Sequence, residues 1–196
     1  MAVFHIAFPA MPFPAHRDVP YIPDGLCDAP QARAPRPLGP ALAIFFIAFA
    51  VLQGAWSEAR GTIIERWVID DVTVRPAAML IRFLTPDAHA TAAGARIKAL
   101  GGGLNILDGC DGTEVMLLLV AAFAAVRLGW RKRSAGIALG VCFVFVANQM
   151  RILALFYAFR ADRHLFDLLH TTILPALLVA AVSLYFYGFL HRDRLA

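Results

Sequence analysis

The chain has 196 residues, 60% of them hydrophobic and 16% charged, and a mean hydropathy of +0.66. A soluble domain is about half apolar and about a quarter charged, so this excess excludes an ordinary soluble globule and points to helices whose outer surface is lipid. The net charge of +4 is no nucleic-acid footprint, because the basic residues gather at the ends of apolar runs, as membrane topology signals do.

Met1–Arg36 is rich in Pro, Ala and Arg and has no sustained period. Its apolar start is broken by prolines and lacks a basic n-region, so it makes a poor signal peptide. Residues 1–38 read as a mobile cytoplasmic tail, and 39–196 as one membrane-embedded domain. The first predicted span is Gly39–Trp56, which carries no charge and has about the 18–20 residues that a bilayer requires. Glu58–Asp108 is different: acids and arginines alternate through it. Two pieces have order. Pro76–Leu84 predicts a short helix lying in the interface, and Ala95–Leu107 predicts a small hairpin around a glycine turn.

Thr113–Leu128 is the second predicted span, followed at once by Trp130–Arg133, WRKR. Ala135–Tyr157 is the third and contains Asn148, Gln149 and Arg151. Arg160–Leu169 reads as a short polar connection. Thr171–Leu190 is the fourth span, with Pro175 in its first turn, where proline is tolerated. The expected fold is an all-α integral membrane protein. It has a bundle of about four transmembrane helices and a small extracytoplasmic segment holding the interfacial helix and the hairpin.

Orientation follows from the basic residues. WRKR contains no acid and should face the cytoplasm. Alternation then makes both termini cytoplasmic and puts Glu58–Asp108 outside. Cys110 and His170 each precede a span at its outer end. Arg151 stands about 24 Å above Ala135 at 1.5 Å per residue, in a core about 30 Å thick. A thiol, a guanidinium and an imidazole thus share one predicted depth.

Cys110 sits on a glycine-flanked turn before an apolar run, in NILDGCDGTEVMLLL. Unpaired N–H groups and the dipole at a helix start favour negative charge and lower a thiol pKa. The set suits acyl transfer. Cys110 attacks a peptide carbonyl. His170 takes the thiol proton or holds an ion pair with the thiolate, and protonates the leaving amine. Arg151 stabilises the oxyanion or positions the substrate. Asn148, three residues earlier on the same face, orients Arg151 or donates to the oxyanion. Asp167 orients the His170 ring if that connection is helical. Structural alternatives stand beside these roles. Arg151 has a possible ion-pair partner in Glu114, and Asp111 and Glu114 have the spacing of a capping box. Cys27, Cys110 and Cys142 are an odd number without regular spacing, which argues against a disulfide framework. Cys142 reads as a small buried hydrophobe. No H-E-x-x-H, C-x-x-C, G-x-S-x-G or phosphate loop is present, so no metal or cofactor is implied.

The ordered set GCDGTE, NQMR and FDLLH, each beside an apolar helix, resembles the exosortase/archaeosortase family over roughly Val72–Tyr187. That resemblance implies a multi-spanning transpeptidase-like enzyme of the bacterial inner membrane. Its Cys–Arg–His site would fall on Cys110, Arg151 and His170 at the extracytoplasmic face. The implied partners are exported proteins with a C-terminal motif, a hydrophobic helix and a basic end, together with the lipid bilayer. The chain departs from many relatives in having fewer spans, which suggests a compact subtype. The alternative from another class is a non-enzymatic membrane scaffold whose polar residues pair within the bundle.

Overall fold

The computed structural model describes residues 37–106 and 111–195. All of them belong to the second of the two units into which the chain divides, Arg33–Ala196. The predicted N-terminal tail, with Cys27, lies outside the described residues.

Helix α1 spans Leu38–Ala59, a little longer than the predicted span. It packs along α4, Thr113–Ala125, yet it buries none of its own residues. An apolar helix uncovered on most sides is stable only with lipid around it. Helix α5 is the axis of the molecule and covers Trp130–Ala161, 32 residues. A single residue, Asp162, separates it from the next helix; its side chain accepts from the His164 N–H and caps that helix. Among the described residues three helices are long and apolar enough to cross a membrane: α1, α5 and the continuous run Arg163–Arg192. The second predicted span is shorter than expected. Helix α4 has 13 residues, about 20 Å at 1.5 Å per residue, because Val126 turns extended. Arg133, from the WRKR cluster, reaches back and donates to the Val126 carbonyl at 3.0 Å. That cluster forms the first turn of α5.

The region between α1 and α4 is more ordered than its mixed sequence suggests. One helical run covers α2 (Ile63–Arg66), a π-wound segment (Trp67–Val74) and α3 (Arg75–Leu84). The predicted helix over Pro76–Leu84 is all but the first residue of α3. Strands β1 (Thr91–Ala93), β2 (Arg96–Lys98) and β3 (Leu104–Asn105) follow in one antiparallel sheet of order β1-β2-β3. The predicted hairpin is β2–β3, with Arg96 opposite Asn105 and Ile97 opposite Leu104; β1 adds a strand on its other edge.

The polar connection predicted over Arg160–Leu169 is instead helical. Helix α6 (Arg163–Leu168), a π-wound segment (Leu169–Ile173) and α7 (Leu174–Leu195) form one run. Pro175 therefore lies inside a helix and not in a first turn. It lacks an N–H, and its ring crowds the carbonyl four residues back. The looser winding just before it absorbs that conflict: the Leu174 N–H bonds to the Leu169 carbonyl, five residues back. Pro76 repeats the device, two residues after a π segment whose end is closed by Arg75 N–H to Asp70 carbonyl.

Two apolar cores stack along α5. The lower one joins Leu119 and Phe123 of α4, Val144 of α5 and Val182 of α7. Phe123 meets Phe186 and Phe189 edge-on, at 5.0 and 5.3 Å. The upper one joins Ile69, Val74 and Ile81 of the first helical run, Ile97 and Leu104 of the sheet, and Ile152 and Phe156 of α5. Helix α5 is about 48 Å long, well beyond an apolar bilayer core of about 30 Å. Its last turns form the floor on which the small sheet sits.

Candidate functional site: a buried polar layer between the two cores

Between Val144 and Ile152, α5 turns polar: Asn148, Gln149 and Arg151 are all buried. On the neighbouring elements Thr73, Asp111 and Thr113 are buried as well. These six residues form a polar band where one core ends and the next begins. An isolated polar side chain in such a place costs free energy unless it is bonded, so each partnership is informative.

Asn148 donates from Nδ2 to the Asp111 carbonyl at 2.9 Å. Because a carbonyl can only accept, this orients the carboxamide and leaves Oδ1 as the free end. Gln149 reaches from Nε2 to the Thr73 carbonyl at 3.4 Å. Thr73 lies in the first π segment, and its own hydroxyl donates to the Val68 carbonyl at 2.9 Å. Asn148 Oδ1, Gln149 Oε1 and Arg151 Nε are buried without a hydrogen-bond partner among the described residues. Leaving such a group unpaired costs on the order of 1–3 kcal/mol. Three such atoms within four residues of one helix mark a place where polar capacity is left over among the described residues.

The start of α4 is built against this layer. Asp111 is not the helix N-cap, as a capping box with Glu114 would require; Gly112 is, with a left-handed φ of 82°. The Asp111 carboxylate instead accepts from the Thr113 N–H and hydroxyl. Glu114 is exposed, so it closes no box. Gly112 is required twice over. Its φ disfavours any side chain, and a Cβ there would lie 2.9 Å from Asn148 Cγ.

The structure brings Asn148 and Arg151 onto one buried helix face, as the spacing predicted. Arg151 makes no ion pair with Glu114 or with any other described residue, which removes the structural pairing considered for it. Cys110 lies outside the described residues, one position before Asp111. Cys142 was expected to be buried; it is exposed on the outer side of α5, where lipid rather than protein would cover it. His170 is half-buried in the second π segment, and that segment packs against α5. Its ring stacks on Phe166 at 5.4 Å, and Phe166 meets Phe159 edge-on at 5.5 Å. Gly102 of the β2–β3 turn rests on Phe159, close enough that a Cβ would come within 3.1 Å of its ring. An aromatic column therefore ties His170 to the hairpin. Asp167 is exposed, and its carbonyl accepts from the Thr171 hydroxyl at 2.7 Å.

Sequence reading singled out Asn148 and Arg151 but gave Gln149 and Thr73 no role. Gln149 carried a signal: an amide in an apolar helix needs a partner. Thr73 carried none, because it takes part through its backbone carbonyl, which any residue type supplies. Among the described residues no group of His, Cys, Asp or Glu is arranged to hold a metal ion.

The fold and this layer define a helical membrane-type protein with a small sheet-capped subdomain and a buried polar layer incompletely satisfied among the described residues. Comparisons with protein-family models, with curated proteins and with solved structures give no match.

Proposed function

We propose that the chain is a membrane cysteine peptidase or transpeptidase of the exosortase/archaeosortase kind. In this reading it cleaves the C-terminal sorting signals of exported proteins at the extracytoplasmic face of a bacterial inner membrane. The observation that carries the reading is the Asn148–Asp111 bond. It ties the residue directly after Cys110 to the helical face that bears Arg151, whose Nε is buried and without a partner among the described residues.

The chemistry has two steps. The Cys110 thiolate adds to the scissile carbonyl, and the oxyanion that forms is met by Arg151, while Asn148 Oδ1, which can only accept, is left for an N–H of the bound substrate. The C–N bond then breaks. His170, carrying the proton taken from the thiol, delivers it to the departing amine, and a thioester remains. Water or an acceptor amine attacks the thioester carbonyl, loses its proton to His170 and expels the Cys110 thiolate. A guanidinium suits this layer because it stays charged in a poorly solvated place.

The test is co-expression with an exported substrate bearing a motif, an apolar helix and a basic tail, followed by its size on a gel. Cys110→Ala and Cys110→Ser are each expected to abolish processing at unchanged enzyme level in the membrane. Normal processing by Cys110→Ala ends the cysteine mechanism and favours a scaffold whose polar layer is structural.

A further inference from the structure

The helical run Ile63–Leu84 shows an unusual surface. Its exposed large apolar side chains are Ile63, Ile64 and Trp67 near the start, and Met79, Leu80, Phe83 and Leu84 at the end. Its other exposed side chains are Arg66, Arg75 and Arg82, and the part-exposed Asp71 is ion-paired to Arg75 at 2.6 Å. Phe83 is 83% exposed and Trp67 59%. A water-facing helix shows the reverse composition.

The π segment makes these residues one stripe. In a plain α-helix at 100° per residue, Met79 stands roughly 160° round from Ile63, so the two apolar groups face opposite ways. Eight residues of π winding make about 1.8 turns instead of about 2.2, which rotates everything after them by roughly 140°. Met79 and Phe83 then fall in line with Ile63 and Trp67. The buried residues Ile69, Val74, Ala77 and Ile81 occupy the opposite side. The arginines run along the border, where Arg66 and Arg75, with Asp70 and Asp71, line an open groove of about 340 Å³ beside β1.

Position supplies the occupant. Only Arg60, Gly61 and Thr62 separate Ile63 from the end of α1, a reach of about 10 Å. The stripe therefore begins where an apolar, membrane-length helix ends. An apolar stripe flanked by arginines, its Asp71 neutralised by Arg75, is the composition of a helix lying in a lipid headgroup layer, its apolar face about 5–10 Å deep and Arg66 and Arg82 at the phosphates.

We infer that the whole run Ile63–Leu84 is a lipid-anchored interfacial helix, phased by its π segment, which clamps the sheet subdomain onto the bilayer surface. The clamp reaches the polar layer directly, since Thr73 of this run accepts from Gln149. The inference is independent of the chemistry at Cys110.

The test uses the full chain in phosphatidylcholine–phosphatidylglycerol nanodiscs, with Trp56→Phe and Trp130→Phe leaving Trp67 as sole reporter. A second protein adds Trp67→Phe and Phe83→Trp to report from the far end. Both reporters are expected to lose most of their emission to lipids brominated near the headgroup, less to lipids brominated near the chain end, and little to aqueous iodide. Iodide quenching of either reporter overturns the inference, because that end is then in water. Protection of either reporter from both bromolipid and iodide also overturns it, because protein then covers the stripe.

Discussion

Asn148 and Asp111, 37 residues apart, are joined by a 2.9 Å hydrogen bond from carboxamide to carbonyl, and Gly112 beside them leaves no room for a side chain. The turn that starts α4 is thus held against α5 by one polar contact and one close approach.

That pairing predicts a coupled response. Asn148→Ala strands a buried carbonyl and should cost about 1–3 kcal/mol of stability. Gly112→Ala strains a left-handed position and collides with Asn148, at a cost of similar size. Made together the two changes should cost less than their sum, because the collision partner is gone. Thermal unfolding of the four proteins in detergent measures the coupling, and strict additivity would show that the two residues do not press on each other.

Arg151 predicts a separation of activity from stability. It makes no ion pair with a described residue, and its Nε is unsatisfied. Arg151→Met should leave the melting temperature unchanged or raised, while processing falls by about two to four orders of magnitude. Glu114→Gln should be silent in both assays, since Glu114 is exposed. A matched loss of stability in Arg151→Met and Glu114→Gln would reinstate a structural ion pair.

Pro175 predicts a trade. With Pro175→Ala the run Arg163–Leu195 can recover ordinary four-residue bonding and discard the π winding around His170. Stability should hold or rise, while processing should fall because the His170 ring leaves its place on Phe166. Unchanged processing at raised stability would mean that the π turn serves only the proline.

Membrane sidedness predicts a labelling pattern. In a Cys27→Ala, Cys110→Ala, Cys142→Ala background, cysteines at Thr91 and Leu100 should react with an impermeant maleimide from outside the cell, and one at Ser134 should not. Thr91 opens β1 and Ser134 lies in the first turns of α5, so the pair brackets the molecule. The opposite pattern would invert the orientation and remove the extracytoplasmic site.

Much of this was legible in the residues. Uncharged runs of sufficient length declare membrane helices because backbone polar groups in lipid must bond within the helix, and α1 and α5 appear where their runs lie. The hairpin was legible from its glycine turn. Asn148 and Arg151 were legible as a pair because helical spacing puts residues three apart on one face.

Other features lay beyond any local rule. The run Ile63–Val74 mixes acids, one arginine and β-branched residues and shows no clean period at 3.6, because the winding of Trp67–Val74 is not 3.6. The predicted connection over Arg160–Leu169 proved helical, since Asp162 caps the next helix and Phe166 packs on Phe159. Composition and apolar periodicity thus determined by themselves that the chain is built of membrane-length helices, with a polar step in the one at its centre. Only the tertiary structure decided that this step lies between two separate cores, that Asp111 and Thr73 close on it from two sides, and that two prolines are accommodated by π turns. These depend on contacts between residues tens of positions apart, and on a winding that sequence periodicity averages away.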